Sequence, residues 1–414
     1  VRLKRLDRPP DTRRRPVDSE VLTAAAEIVE DVRGRGEEAL REHGERLGDL
    51  QPGQQLVLDR SHLQQAEERL SASEHGVLER VADRIRLFAQ AQRDALIDID
   101  VAVTGGRAGH RWIPVGSAGA YAPGGRHPLP SSVLMTVIPA RVAGVGQVWA
   151  ASPRPTPVTL AAAAIAGVDG LLALGGAQAI AALAFGVVSP ACDLIVGPGN
   201  RWVTAAKKHL FGEVGIDGLA GPSEILVIAD DEADPDLVAA DLLAQAEHDT
   251  EALPALVTTS AALADRVEEA LDQQLADLPT SETATAALEN GFVIVVASLT
   301  EASEAANALA PEHLALHVGN PELLAGDLHN YGSVFLGGLS AEAYADYGVG
   351  PNHVLPTAGG ARFQSGLSVL TFLRSPTWSR LDEPGALTAD TVHLAHLEGL
   401  EAHARAAQFR VDQG

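Results

Sequence analysis

The sequence predicts an α/β protein of two Rossmann-like units, each an incomplete doubly wound sheet, with a helical N-terminal arm and a small helical C-terminal tail. Three observations predict it. Between Val115 and Val196 short apolar runs alternate with helical stretches: GAYAP, SSVLMTVIPARVAGV, QVWAAS, TLAAAAIAGV, GLLALG, AQAIAALAFG and DLIVGPG. Such a β-α-β string favours a parallel sheet with helices on its faces. The alternation restarts at EILVIAD, residues 224–230, and 414 residues with 46% apolar side chains can fill two cores.

The chain begins with a basic arm, VRLKRLDRPPDTRRRP, whose Pro and Asp stand where a signal peptide would need an apolar stretch. From Ser19 to about Leu96 apolar residues recur at the helical period in VLTAAAEIVEDVRGRGEEALREHG, SHLQQAEERL and GVLERVADRIRLFAQAQ. The doubly wound string follows. In the second unit EILVIAD reads as a strand, and Asp234-Pro235 opens a helix with Asp at the N-cap and Pro in the first turn. ALVTTS, a helix from about Ala261, FVIVVAS and a helix near Glu301 to Leu309 continue the alternation. Beyond Ser368, TADTVHLAHLEGLEAHARAAQF reads as the main helix of the tail.

One cysteine, Cys192, rules out an intramolecular disulfide framework and points to a reducing compartment, the cytoplasm. The most apolar stretch, about Leu171 to Val188, is Ala and Gly around Gln178, too poor in Leu and Ile for a membrane span. A formal charge of −24 argues against nucleic acid or an anionic membrane as partner.

Several histidines stand beside acidic or amide residues. In LLAQAEHD, Gln245 and His248 are three apart near a helix end and share a face, although a lone histidine there is also what a helix dipole favours. APEHLALHV places Glu312 and His313 after a helix-ending Pro311, where a carboxylate and an imidazole suit two proton-transfer tasks. DYGVGPNHVLPT carries Asp346 and His353 in a loop punctuated by Gly and Pro, which a plain surface turn would also explain. His393, His396, Glu398 and His403 lie on the predicted tail helix. Gln, Asp and two His form an O/N ligand set suited to zinc or a similar divalent ion, but no CxxC or HExxH motif is present. Ser223 and Asn200 sit at strand ends. No G-x-G-x-x-G occurs, yet LALGGAQAIAAL and IVGPGNRWVTAAK have the strand, Gly turn and helix order that can bring helix N-terminal amides to a phosphate.

GAYAPGG, GGAQAIAALAFG, VGPGN, AGPSEILVIAD, LLAQAEHD, APEHL, GPNHVLPT and EGLEAH resemble, in this order, the signature segments of the L-histidinol dehydrogenase family, from about Tyr121 to His403. The resemblance implies a homodimeric, metal-dependent, NAD-linked enzyme for the last two steps of histidine biosynthesis, with L-histidinol as substrate and one Zn2+ or other divalent ion per subunit. It implies Gln245, His248 and Asp346 as metal ligands of one subunit, with His403 reaching across from the other. Glu312 and His313 become the acid/base pair. Ser223, His353 and Glu398 would join the ligand residues and His313 around substrate, while Tyr121, Gln178 and Asn200 would contact NAD.

The division expected is an arm, 1–18; a first α/β domain of 19–113 plus 223–367, carrying the metal and catalytic residues; an NAD domain, 114–222; and the tail, 368–414. Two rival chemistries are a thiolate route through Cys192, which has no local base in PACDLIVGPGN, and a hydrolase using Glu312 with a metal-bound water. A non-catalytic scaffold would leave the ordered motifs without a role.

Overall fold

The computed structural model describes residues 2–11, 17–124 and 128–411. Val1, residues 12–16 of the basic arm and Gly125 of GAYAPGG lie outside them. The first elements are β1 (Lys4–Leu6), α1 (Ser19–Arg35), α2 (Glu37–Arg46), β2 (Val57–Asp59), α3 (Arg60–Glu68) and α4 (Ala72–Asp94). Their starts are set locally. Asp18 caps α1 through Val21 N–H, and Ser71 with Glu74 closes a capping box on α4, each worth about 1 kcal/mol against alanine. Next come β3 (Ile99–Val103), β4 (Gly106–His110) and β5 (Ile113–Pro114).

The first doubly wound sheet is built from β6 (Ser117–Tyr121), α5 (Pro130–Ala143), β7 (Gln147–Ala151), α6 (Pro157–Ala166), β8 (Gly170–Leu172), α7 (Gly176–Phe185), β9 (Leu194–Val196), α8 (Arg201–Leu210) and β10 (Gly215–Ile216). Its order is β10-β9-β6-β7-β8-β2. The run β8-β7-β6-β9-β10 is parallel and has the 3-2-1-4-5 order of a Rossmann sheet. Strands covered on both faces need apolar residues throughout, and all five residues of β6 are buried.

The second sheet repeats the plan with β11 (Glu224–Ala229), α9 (Pro235–Ala246), β12 (Leu253–Thr258), α10 (Ala261–Leu275), α11 (Ser281–Leu288), β13 (Phe292–Val295), α12 (Leu299–Leu309), β14 (His313–His317), α13 (Pro321–Ala325), β15 (Ser333–Leu336) and α14 (Glu342–Asp346). Its order, β1-β13-β12-β11-β14-β15, is parallel throughout. Asp234 caps α9 and Pro235 opens it, as their sequence pattern predicts. The chain finishes with β16 (Leu373–Arg374), β17 (Thr377–Leu381), α15 (Gly385–Leu397) and α16 (Glu401–Val411).

Both sheets match the expected class, but several boundaries move. The helical segment from Ser19, expected with 223–367, packs on the sheet of 114–222. Val21, Ala25, Val29 and Val32 of α1 join the core of α7 and α8, residues of α3 and α4 join that of α5 and α6, and β2 pairs with β8. Periodicity shows that a helix has an apolar face and leaves its partner open. Part of the arm is a strand, with β1 extending the other sheet along β13. The tail is not wholly helical: β16 pairs with β5, and β17 joins β4 and β3 in a three-stranded antiparallel sheet. The single helix read from Thr388 is two, broken at Gly399, whose φ of 73° only glycine adopts without strain.

Candidate active site

The second sheet places its polar residues at the amino ends of β11 and β14. Ala310 ends α12 in a left-handed conformation, and Pro311 delivers Glu312 and His313 to the start of β14, both buried. Pairing of His313 with Ile225 in β11 sets the imidazole beside Glu224. His313 Nδ1 lies 3.2 Å from the Glu224 carbonyl oxygen. A carbonyl only accepts, so Nδ1 carries the hydrogen and Nε2 carries the lone pair. Nε2 is buried and has no hydrogen-bond partner among the described residues. Burial holds the imidazole down to about 4, so it is neutral near pH 7. Glu312 Oε2 accepts from the Glu224 N–H at 3.0 Å. Burial pushes the Glu312 carboxyl well up, and the charges of Glu224, Glu342 and Asp346 add to this.

Two helix ends face this pair. Gln245 lies in the last turn of α9, and His248 follows just beyond the helix, in a turn whose N–H bonds the Gln245 carbonyl. Asp346 is the last residue of α14, not part of the loop expected from DYGVGPNH. His248 Nε2 is 3.5 Å from Asp346 Oδ2. That carboxylate raises the His248 imidazole; burial works to raise Asp346, but His248, with His353 and His313 behind it, holds it below the ordinary range.

Glu342 is the residue the sequence reading missed. It is buried, its Oε1 is 3.5 Å from His313 Nδ1, and its Oε2 has no partner among the described residues. One ligand atom each from His248, Glu342 and Asp346 lies within 4.8 Å of the others. The available signal was the four-residue spacing of Glu342 and Asp346, which puts both on one helix face. The carboxyl of Glu342 is pushed well up by burial, then by Asp346 and Asp241. Gln245 is fully buried, and neither amide atom is hydrogen-bonded among the described residues. An amide orphaned this way costs roughly 1–3 kcal/mol per group unless a ligand satisfies it. An imidazole, carboxylates and an unsatisfied amide oxygen at the carboxyl end of a helix are a donor set for a divalent cation.

Ser223 precedes β11, at the amino end of its strand, whereas open α/β sheets keep ligands at the carboxyl ends. On the first sheet the expected cofactor contacts lie at the carboxyl ends of the strands. His353 joins the two halves: its Nδ1 lies 3.2 Å from the Asp346 carbonyl oxygen and its Nε2 3.4 Å from Ser132 Oγ on α5, while Asn352 Nδ2 donates to the Met135 carbonyl at 2.6 Å.

Tyr121 ends β6, Gln178 is in the first turn of α7 and Asn200 caps α8, so the three expected cofactor contacts surround the carboxyl end of the first sheet. Gly197 closes the crevice; a Cβ there would stand 2.1 Å from the Tyr121 carbonyl oxygen. Neither helix start is bare, contrary to the simple phosphate-site expectation. The Tyr121 hydroxyl accepts from Gly176 N–H at 3.3 Å, Asp49 accepts from Gly175 N–H at 2.9 Å, and Asn200 Oδ1 accepts from Trp202 and Val203 N–H. Gln178 Oε1 is buried without a partner among the described residues, which suits a donor on a bound cofactor.

Glu398 and His403 are not brought to this cluster. Both are exposed on the α15–α16 hairpin, and no described hydrogen bond or ion pair ties either to Gln245, His248 or Asp346. Cys192 is buried on the first sheet, and burial with the Asp193 charge pushes its thiol up to about 12. It is no nucleophile at neutral pH. Cys192→Ala is therefore expected to keep near-normal turnover; loss of activity in a variant of unchanged thermal stability would restore the thiolate route.

The two largely parallel sheets and the buried carboxylate–imidazole site define an α/β enzyme. The chain belongs to the histidinol dehydrogenase family, whose model matches residues 11–411. It is 48% identical over 408 residues to the histidinol dehydrogenase of Ruegeria pomeroyi, covering 95% of this chain and 93% of that one. With the histidinol dehydrogenase of Parasynechococcus marenigrum it shares 46% identity over 393 residues, 93% and 90% of the two chains. The crystal structure of histidinol dehydrogenase from Elizabethkingia anophelis is similar with a TM-score of 0.93 at 32% identity, over 99% of this chain and 98% of that one.

Proposed function

We propose that this chain is a cytoplasmic enzyme that oxidises L-histidinol through L-histidinal to L-histidine with NAD, the last two steps of histidine biosynthesis. The observation that carries this is the unpartnered, neutral Nε2 of His313 beside a cation-binding donor set. A divalent ion, zinc or one like it, held by Gln245, His248 and Asp346 and by His403 of the partner subunit would fix the amine and imidazole nitrogens of histidinol. NAD, bound at the first sheet, would supply the hydride acceptor for both steps.

His313 Nε2 takes the hydroxyl proton as the substrate carbon gives up hydride, leaving histidinal bound. Glu312, next along the chain, then takes a proton from the water that adds to the aldehyde carbon, and the hydrate loses the second hydride. Ser223, His353 and the partner's Glu398 line the substrate, and Tyr121, Gln178 and Asn200 contact NAD. Holding the aldehyde in place protects it from side reactions.

The tail supports a homodimer. Leu394, Leu397, Leu400 and Phe409 of α15, α16 and their link are exposed, giving this hairpin an apolar face, and such a face marks an interaction surface. Crossing to a second copy would cover it and bring Glu398 and His403 to the partner's cluster. Among the described residues no helix is long and apolar enough to cross a membrane.

The test follows nicotinamide absorbance with histidinol and NAD, with and without a chelator. Two NADH per histidinol are expected with little free histidinal, and none after the metal is removed. One NADH with aldehyde released would assign the second step elsewhere, and chelator-resistant turnover would remove the metal.

A further inference from the structure

We infer that Asp49 is a positioning residue of the cofactor site, fixing the side-chain amide of Gln178 so that its Oε1 accepts a hydrogen bond from a donor group of NAD, an amide N–H or a sugar hydroxyl. This rests on the reading of Gln178 as a cofactor contact. Asp49 comes from the turn after α2, far from α7 in sequence, and only the packing of that segment on the first sheet brings it there. Asp49 Oδ2 accepts from two donors at once, Gly175 N–H at 2.9 Å and Gln178 Nε2 at 3.2 Å.

Two consequences follow. A carboxylate accepts and does not donate, so the amide atom turned toward it is the NH2 and the oxygen must face the other way. That oxygen is the buried Oε1, without a partner among the described residues, on a residue 1% exposed. Left alone, an amide can exchange its two ends; with Asp49 in place only one orientation satisfies both groups. The second consequence concerns charge. Asp49 occupies the Gly175 N–H and the Tyr121 hydroxyl occupies the Gly176 N–H, so the start of α7 has an acid where a phosphate would otherwise bind. Arg154 lies close enough to act on the Asp49 charge, so it is the occupied Gly175 and Gly176 N–H groups that leave the Gln178 oxygen as the acceptor offered at this corner.

The experiment is calorimetric titration of the metal-loaded dimer with NAD, for wild type, Gln178→Ala, Asp49→Ala, Asp49→Asn and the double variant Asp49→Ala/Gln178→Ala, with steady-state kinetics beside it. Gln178→Ala and Asp49→Ala are each expected to weaken NAD about tenfold. The double variant should be weakened by about the same tenfold, because the two residues make one interaction. The loss should fall on KM for NAD far more than on kcat. Asp49→Asn, which keeps shape and one acceptor, should fall between wild type and Asp49→Ala.

An additive loss of roughly a hundredfold in the double variant would show Asp49 acting independently of Gln178 and overturn the inference. So would Asp49 variants that bind NAD normally while Gln178→Ala does not. Normal binding by Gln178→Ala would remove Gln178 from the cofactor contacts, and the inference with it. If Asp49→Ala does not fold, Asp49→Asn and its double with Gln178→Ala decide by the same comparison.

Discussion

His313→Ala is expected to lose about a thousandfold in kcat for oxidation of histidinol, within the range for removal of a general base. Bound metal and the Kd for NAD should stay near wild type, since His313 is in neither proposed contact set and the bond it loses, Nδ1 to the Glu224 carbonyl, is to backbone. Burial holds this imidazole down to about 4. The proton-free form that acts as base is present above that value and lost as pH falls through it. Protonation of His313 should therefore not lower kcat/KM for the first step between about pH 8 and about pH 6, although a free imidazole would titrate there. An acid limb near the ordinary imidazole value that vanishes in the His313 variant would overturn this. The adjacent carboxyl should respond differently. Glu312→Gln is expected to impair oxidation of added histidinal more than that of histidinol, and equal loss in both would end the division of labour.

Much of this site was legible because its parts are short-range signals. Asp234-Pro235 fixes where α9 begins, the chain from there fixes that Gln245 and His248 come at its end, and Pro311 fixes where Glu312 and His313 enter the sheet. Each is a local rule that tertiary structure did not override. What escaped the sequence is tertiary in origin. An Ala- and Val-rich stripe on α1 says that a face is buried, and nothing in it says that α7 and α8 bury it. Glu342 owes its role to β14 running alongside β15, which brings a short helix over His313. Asp49 sits in an unremarkable turn and becomes interesting only beside Gly175 and Gln178. The β3–β4 hairpin is a different case: Ile99, Val101 and Val103 alternate before a Thr-Gly-Gly turn, a strand signal that falls between the helical stretch ending near Leu96 and the string beginning at Val115.

The second large effect concerns complementation between copies of the chain. His248 and Asp346 lie together in one chain, with Gln245 one helical turn before His248, whereas His403 and Glu398 stand apart on an exposed hairpin. If the hairpin crosses a two-fold axis, the exchange is reciprocal, and each site takes its tail residues from the other copy. A His248→Ala homodimer and a His403→Ala homodimer then both lack a ligand at every site. In the mixed dimer the substitutions segregate. One site combines the defective His248 with the defective tail, and the other combines an intact His248 with an intact tail. Co-expression under two affinity tags and purification of the doubly tagged species should therefore recover about half of wild-type activity per dimer from two nearly inactive parents. Bound metal should rise in parallel, toward one ion per dimer. A single-chain site gives the opposite result, because each site of the mixed dimer would still lack one ligand. Doubly tagged dimers without activity or metal would thus place His403 in its own chain's site or outside any site.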